Sequence, residues 1–225
     1  MKIKIVGTGS SGNCFLFNDD LMIDAGLPYT VIKDSIDLKK VKCVLLTHIH
    51  GDHFKLDTIR KLAIRHNIKI VCGAFLLDEL LKAGHQRENI IVVGAGKIYQ
   101  IIGYKISPVI AYHDVDNFGY RIITRTHKHF HITDTSTLEG ITAKNYDSAT
   151  IECNHDLPTL LKLVDSAKEN DEYTHLNGAK NSHLSVQKAL KFVKDNNIKK
   201  LYPIHIGDST KKEVLQYLKD NQGRK

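Results

Sequence analysis

An α/β fold with two packed sheets and helices on the outside is what this sequence predicts, and three observations predict it. Helical and strand periodicities alternate in both halves of the chain, the middle is rich in strands, and no Pro/Gly-rich linker or shift of composition separates the halves. A chain of 225 residues can bury a full core without staples, and it reads as one domain over residues 1–225.

The elements follow in order. Lys2 to Val6 alternates as a strand, and Gly7-Thr8-Gly9-Ser10-Ser11-Gly12 forms a flexible turn. That turn lacks the Lys-Ser/Thr ending and the following helix of a phosphate cradle. Asn13 to Asn18 and Leu21 to Asp24 read as strands around an Asp19-Asp20 turn, and Val41 to Thr47 as a strand buried on both faces. Lys55 to His66 carries helical spacing through Leu56, Ile59, Leu62 and Ala63, and Ala74 to Ala83 reads as a second helix. Strands are expected at Ile90 to Val93, Ile98 to Ala111, Gly119 to Thr124, His129 to Thr133 and Ala149 to Cys153. Asp165 to Lys180 is polar enough for a mobile loop. Helix, strand and helix close the chain at Ser185 to Lys194, Lys199 to Ile204 and Lys211 to Lys219.

Composition narrows the function. With 42% hydrophobic and 25% charged residues, collagen-like, coiled-coil and disordered classes are excluded. No apolar run approaches the ~18 residues of a bilayer span, and Met1-Lys2-Ile3-Lys4 begins a strand pattern instead of a leader, so a soluble cytoplasmic protein without a membrane partner is expected. Cys14, Cys43, Cys72 and Cys153 lie far apart among apolar neighbours and read as buried thiols. Lys plus Arg outnumber Asp plus Glu by 32 to 25, which makes an anionic partner plausible. Only six of those cations are arginine and they are spread along the chain, a weak signal for nucleic acid by itself.

The histidines carry more. Thr47-His48-Ile49-His50-Gly51-Asp52-His53 follows directly on the buried strand ending at Leu46, with Gly51 permitting a tight turn. Strand ends opening into loops are where α/β folds place their sites. Three imidazoles and a carboxylate suit borderline metals such as zinc or manganese, and further ligands belong at other strand ends. His113, Asp134 and His205 each stand where an apolar strand gives way to a polar turn.

Ile23-Asp24-Ala25-Gly26, His48-x-His50-x-Asp52-His53, His113, Asp134 and His205, in this order and spacing, resemble the metallo-β-lactamase superfamily over nearly the whole chain. Gly9-Ser10-Ser11-Gly12-Asn13, His113-Asp114 with Gly119-Tyr120, Glu152-x-Asn154-His155-Asp156 and Ser182-His183-Leu184-Ser185 are similar to its ribonuclease Z and WalJ-like DNA exonuclease branches. The resemblance implies a four-layer αββα sandwich of two mixed sheets with helices outside. It implies two divalent metals, zinc or manganese: His48, His50 and His113 on one, Asp52, His53 and His205 on the other, and Asp134 bridging. Asp24 would orient a ligand. Such a pair of ions supplies a hydroxide and clamps a phosphoryl oxygen. Asp52, Glu152 and His183 would be the catalytic side chains, with Glu152 and His183 assisting the leaving group. The resembled family often dimerises.

A dinuclear phosphodiester hydrolase, foremost a nuclease or exonuclease on DNA or RNA, is therefore expected. A cyclic-nucleotide phosphodiesterase of the phage anti-defence type is the alternative, favoured by the short chain and by the lack of ribonuclease Z's tRNA-gripping arm. Thioester or lactam hydrolysis and a nucleic-acid-binding module with a structural metal are remoter. After His205, Ile206-Gly207-Asp208 departs from the exonuclease pattern and leaves the substrate open. His127, His129 and His131 share one strand face, expected to be solvated. His155 is open between a role at a helix start and a phosphate contact. His66, His85 and His175 are expected at the surface.

Overall fold

A computed structural model describes residues 1–170, 174 and 176–222, and the chain divides into two compact units. The strands belong to two mixed sheets. The first unit runs from Met1 to Ile110 and resumes over Val115–His127. It contains β1 (Ile3–Gly7), β2 (Cys14–Phe17), β3 (Leu21–Ile23), α1 (Tyr29–Ser35), β4 (Cys43–Leu45), α2 (Leu56–His66), β5 (Lys69–Gly73), α3 (Leu77–Lys82), β6 (Ile90–Val93), β7 (Tyr99–Ile101), β8 (Tyr104–Ala111) and β9 (Asn117–Ile123). Its six-stranded sheet has the order β1-β2-β3-β4-β5-β6, antiparallel as far as β3 and parallel from there on.

Leu16, Met22, Val44 and Ile70 form one face of that sheet and join a core with Ile32 of α1, Ile59 and Leu62 of α2, and Leu80 of α3. Phe15, Phe17, Leu21, Ile23, Leu45 and Val71, on the opposite face, are equally closed to solvent. Burial on both faces is why these strands read as apolar runs. α2 stops where the periodicity ends, at Asn67, whose left-handed backbone (φ 53°) returns its N–H to Leu62 O.

Three features of this unit depart from expectation. The single strand expected over Ile98 to Ala111 is a tight antiparallel hairpin, β7 and β8, turning at Ile102 and Gly103 with φ 44° and 89°. α1 and β5 are additional elements. The Ala74 to Ala83 helix opens with a 3₁₀ turn at Ala74–Leu76 before α3.

The second unit comprises Ala111–Asp114 and the chain from Lys128 onward. It holds β10 (Lys128–Ile132), β11 (Ser148–Glu152), α4 (Leu157–Glu169), α5 (Leu176–Ser182), α6 (Val186–Asp195), β12 (Leu201–Ile204) and α7 (Lys211–Gln222). β10, β11 and β12 are parallel neighbours in that order. One face presents Phe130, its ring 5.6 Å from that of Phe192 of α6 and tilted to it, with Ile132, Ala149 and Ile151. α4 and α6 begin at side-chain caps: Asp156 accepts from Thr159 N at 3.0 Å and Ser185 from Lys188 N at 3.3 Å. The expected loop over Asp165 to Lys180 is helical at both ends, because α4 reaches Glu169 and α5 begins at Leu176, while 171–173 and 175 lie outside the described residues.

The expected solvated histidine face is also corrected. His129 and His131 are fully buried: Nδ1 of His129 lies 2.8 Å from Ser148 Oγ, and Thr150 Oγ1 lies 3.0 Å from its Nε2 and 2.7 Å from Nδ1 of His131. Parallel pairing with β11 sets a hydroxyl opposite each ring, so burial costs no hydrogen bond at these atoms. His85 is buried as well, while His66 pairs with Tyr29 Oη at 2.9 Å; His175 lies outside the described residues. All four cysteines are buried free thiols, as expected. Among the described residues no helix is long and apolar enough to cross a membrane.

Candidate metal centre

In the first unit the histidine loop hangs from the end of β4 and is clamped to the residues after β3. Ala25 N donates to His53 O at 3.0 Å, Lys55 N to Ala25 O at 3.3 Å, and Asn13 N to Asp52 O at 2.7 Å. Gly26 is required here: a Cβ on it would stand 1.6 Å from the Asp52 carbonyl oxygen. Gly51, by contrast, has open space around it and no left-handed backbone, so the turn does not depend on it. His50 O receives His53 N at 2.9 Å and Phe54 N at 2.7 Å, which curls the loop so that the His48 ring lies 4.8 Å from His50 and 4.3 Å from His53.

Asp24 sets the chemistry of that cluster. It is buried, left-handed at φ 57°, and receives Thr47 N at 2.9 Å, Thr47 Oγ1 at 2.9 Å and His53 Nδ1 at 2.7 Å. An ionised carboxylate only accepts, so the Thr47 hydroxyl donates to it and His53 carries its proton on Nδ1. The Thr47 oxygen is then the acceptor for His48 Nδ1 at 3.0 Å. Both rings therefore turn Nε2 away from Asp24 and Thr47 as a buried lone pair, the form that binds a divalent ion. Asp52 Oδ2 lies 3.5 Å from His53 Nε2. β9 braces the loop's root, with Phe118 N on Thr47 O at 3.1 Å and Tyr120 Oη on Leu46 O at 2.5 Å.

The second unit gathers the remaining expected residues. Asp134 follows β10 with φ 48°, and His205 follows β12 with φ 51°. His205 Nδ1 contacts Asp134 Oδ1, and Thr133 Oγ1 donates to the same oxygen at 3.1 Å. Asn154 Nδ2 donates to His205 O at 3.3 Å and Gly207 N to Asn154 O at 2.9 Å, which holds the left-handed turn. Glu152, at the end of β11, is fully buried: Oε2 accepts from Thr135 N at 3.0 Å and Leu184 N at 3.2 Å, and Oε1 lies 2.6 Å from His183 Nδ1. His183 thus carries a proton on Nδ1 and turns Nε2 away from the carboxylate. His113 Nδ1 donates to Ser182 O at 3.1 Å, its ring 5.5 Å from His183, and its Nε2 faces Asp114 at 3.1 Å. Each of Asp134, Glu152, His183 and His205 offers a ligand atom within 4.8 Å of the others.

The donor set fits divalent ions of the zinc or manganese kind: imidazoles held through Nδ1 by a carboxylate, a hydroxyl and a carbonyl, together with buried carboxylates. His155 stands apart from it. Its Nδ1 is buried with no hydrogen-bond partner among the described residues, and burial, helped by the charges of His183 and Lys188, pushes its pKa from 6.5 down to about 4. Thr47 and Asn13 belong to motifs visible in the sequence, but the atoms their side chains reach were not legible there.

The family model described as a Beta-lactamase superfamily domain matches residues 23–206. The chain belongs to that family. Its fold is shared with the metallo-β-lactamase fold protein YhfI from Bacillus subtilis, at TM-score 0.73 and 18% identity, covering 95% of this chain and 91% of that one. The short form of human tRNase Z follows at TM-score 0.67 and 16% identity, covering 92% and 93%. A diphosphatase from the PhnP family gives 0.66 and 15%, covering 99% and 91%. Zinc-bound PqqB from Methylobacterium extorquens is also similar, at 0.65 and 12%, covering 93% and 90%. A comparison with curated proteins finds no match. The expected α/β class of two mixed sheets with helices is the superfamily's own, and membership places the chain among metal-dependent hydrolases.

Proposed function

We propose that the chain is a dinuclear metal-dependent phosphodiester hydrolase, foremost a nuclease or exonuclease acting on DNA or RNA. The observation that carries this reading is the Glu152–His183 pair at 2.6 Å beside Asp134 and His205. A histidine held by a buried carboxylate is poised to give up a proton from its far nitrogen, and departing alkoxides need one. Two neighbours named as a tRNase and a diphosphatase support a phosphoryl substrate, and the net charge of +7 suits a polyanion.

In this reading His48, His50 and His113 would hold one ion and Asp52, His53 and His205 the other, with Asp134 as a ligand available to both. Zinc or manganese, when bound, supplies Lewis acidity toward a phosphoryl oxygen and a nucleophile at neutral pH. The protein's own part is orientation and proton transfer. Asp24 and Thr47 fix His53 and His48, while Glu152 holds His183 by Nδ1 and stabilises its imidazolium. His183 would then deliver the Nε2 proton to the leaving oxygen as the oxygen of water bonds to phosphorus and the P–O bond to the leaving group breaks. A cytoplasmic setting and a homodimer complete the proposal.

The test is a hydrolysis panel of single-stranded and duplex DNA, RNA and cyclic mononucleotides, with manganese, zinc or chelator. Chelator-sensitive cleavage of polymers is expected. Cleavage of cyclic nucleotides alone would move the substrate to small signalling molecules, and inactivity toward every phosphodiester by metal-loaded protein would overturn the reading.

A further inference from the structure

Asn13 sits in the turn between β1 and β2, fully buried, and its carboxamide is oriented without ambiguity. Gly9 N donates to Oδ1 at 2.9 Å, so the other end must be the nitrogen. Around Nδ2 stand four acceptors: Gly9 O at 3.0 Å, Asp52 O at 3.2 Å, Asp52 Oδ2 at 3.3 Å and His53 Nε2 at 2.8 Å. An amide nitrogen has two hydrogens. Two of the four acceptors are backbone carbonyls, and the other two are the side-chain atoms of Asp52 and His53 proposed above to hold one ion.

We propose that Asn13 is a placeholder for that cation. In the ion-free protein its N–H groups cap His53 Nε2 and Asp52 Oδ2. When an ion takes those two atoms, about 2.0–2.1 Å from a ring nitrogen, the NH₂ group 2.8 Å from His53 Nε2 has to withdraw from them, and its hydrogens then serve Gly9 O and Asp52 O alone. Two physical needs are met by one residue. Because Asp24 fixes the proton of His53 on Nδ1, Nε2 is a buried lone pair, and Asn13 Nδ2 at 2.8 Å offers it a donor. The loop is also held in its binding geometry beforehand, by Asn13 N on Asp52 O at 2.7 Å and Gly26 N on Asn13 O at 3.0 Å, so ordering it is not charged to ion binding. A merely structural Asn13 would tie the turn to the loop through the carbonyls alone and would be indifferent to the ion.

The inference rests on the metal-centre reading, and the experiment separates the two. Zinc, which is diamagnetic, is titrated into the chelated full chain while calorimetry counts bound equivalents and NMR follows the Asn13 side-chain NH₂ resonances. Those resonances are expected to shift with the equivalent that fills the Asp52–His53 pair. In parallel, Asn13→Asp keeps the oxygen that accepts from Gly9 N but sets a carboxylate oxygen against Asp52. Its melting temperature is expected to fall well below wild type in chelator and to recover most of the gap in saturating zinc. Two equivalents of zinc bound with the Asn13 resonances unmoved would overturn the inference alone. No zinc uptake at all would sink the metal-centre reading and the inference with it. The resonances are read on the natural sequence, so a variant that fails to fold leaves the test standing.

Discussion

The Asp24 carboxylate receives the His53 Nδ1 proton at 2.7 Å, with both side chains closed to solvent. One acceptor thereby decides which nitrogen of His53 is a lone pair, and through Thr47 it decides the same for His48. Asp24→Ala removes the acceptor for three donors. Outer partners of this kind are worth about 10–100-fold in metal affinity. Zinc affinity measured by competition with a chromophoric chelator should fall by that order; unchanged affinity would refute the orienting role.

Gly26→Ala tests the packing beneath the loop. A Cβ placed 1.6 Å from the Asp52 carbonyl oxygen meets backbone, which cannot rotate away. Overpacking of this sort costs roughly 1–3 kcal/mol or more. Urea denaturation should show a lower midpoint with zinc binding weakened alongside it, whereas a wild-type midpoint would mean that the loop yields freely.

His183→Ala should lower turnover by about 10²–10⁴-fold while metal content is unchanged. Leaving-group dependence sharpens the test. A nitrophenolate leaves without a proton, so bis(p-nitrophenyl) phosphate hydrolysis should suffer far less than cleavage of a nucleotide's alkoxide. Equal losses on both substrates would assign His183 to something other than proton donation. Glu152→Gln should fall on the same side, since an amide cannot accept from Thr135, Leu184 and His183 together.

His155 predicts an acid sensitivity with a defined sign. Its pKa drops from 6.5 to about 4 on folding, chiefly through burial, so between these values the unfolded chain binds the extra proton. Stability is full above pH 6.5, declines as the pH falls toward 4, and levels off below. The loss is on the order of 2–3 kcal/mol. His155→Gln should flatten this slope in urea melts at pH 7, 5.5 and 4, and an equally steep slope would locate the acid sensitivity elsewhere.

The thiols should be silent. Burial raises Cys43 and Cys72 to about 12 and Cys14 and Cys153 higher still, so almost no thiolate exists at neutral pH. Ellman's reagent should label the native protein slowly and all four thiols only after denaturation; fast labelling of the native state would contradict the packing.

What was legible in the sequence depended on whether the signal was local. The apolar run into Thr47 and the histidines after it mark a strand end and a loop on their own, and the strand ends at Asp134 and His205 read equally well. The hairpin at Ile102-Gly103 was hidden because a lone glycine within an apolar run is a faint turn signal and the β-branched Ile102, at φ 44°, adds none. α4 was obscured by its polar second half, although Asp156 and Pro158 mark its start. The burial of His129 and His131 could not be read at all. Alternation says that two residues share a face but not what covers it, and the hydroxyls that satisfy them come from Ser148 and Thr150, about twenty residues on. Asn13 and Thr47 show the same limit inside the candidate site: their importance lies in which atoms converge on them.

Those buried histidines bear on how the second unit avoids misfolding. Parallel strands are brought together by long connections, and nothing in a uniformly apolar pair would stop β10 from settling one residue out of place against β11. Here His129 stands opposite Ser148 and His131 opposite Thr150. A slip by one residue would set both rings against Ala149 and Ile151 and leave their nitrogens without donors or acceptors, at about 1–3 kcal/mol for each. The row of rings and hydroxyls therefore works as a combination lock. It disfavours a one-residue slip of the strands, and the observed alignment delivers Asp134 and Glu152 to the same end of the sheet.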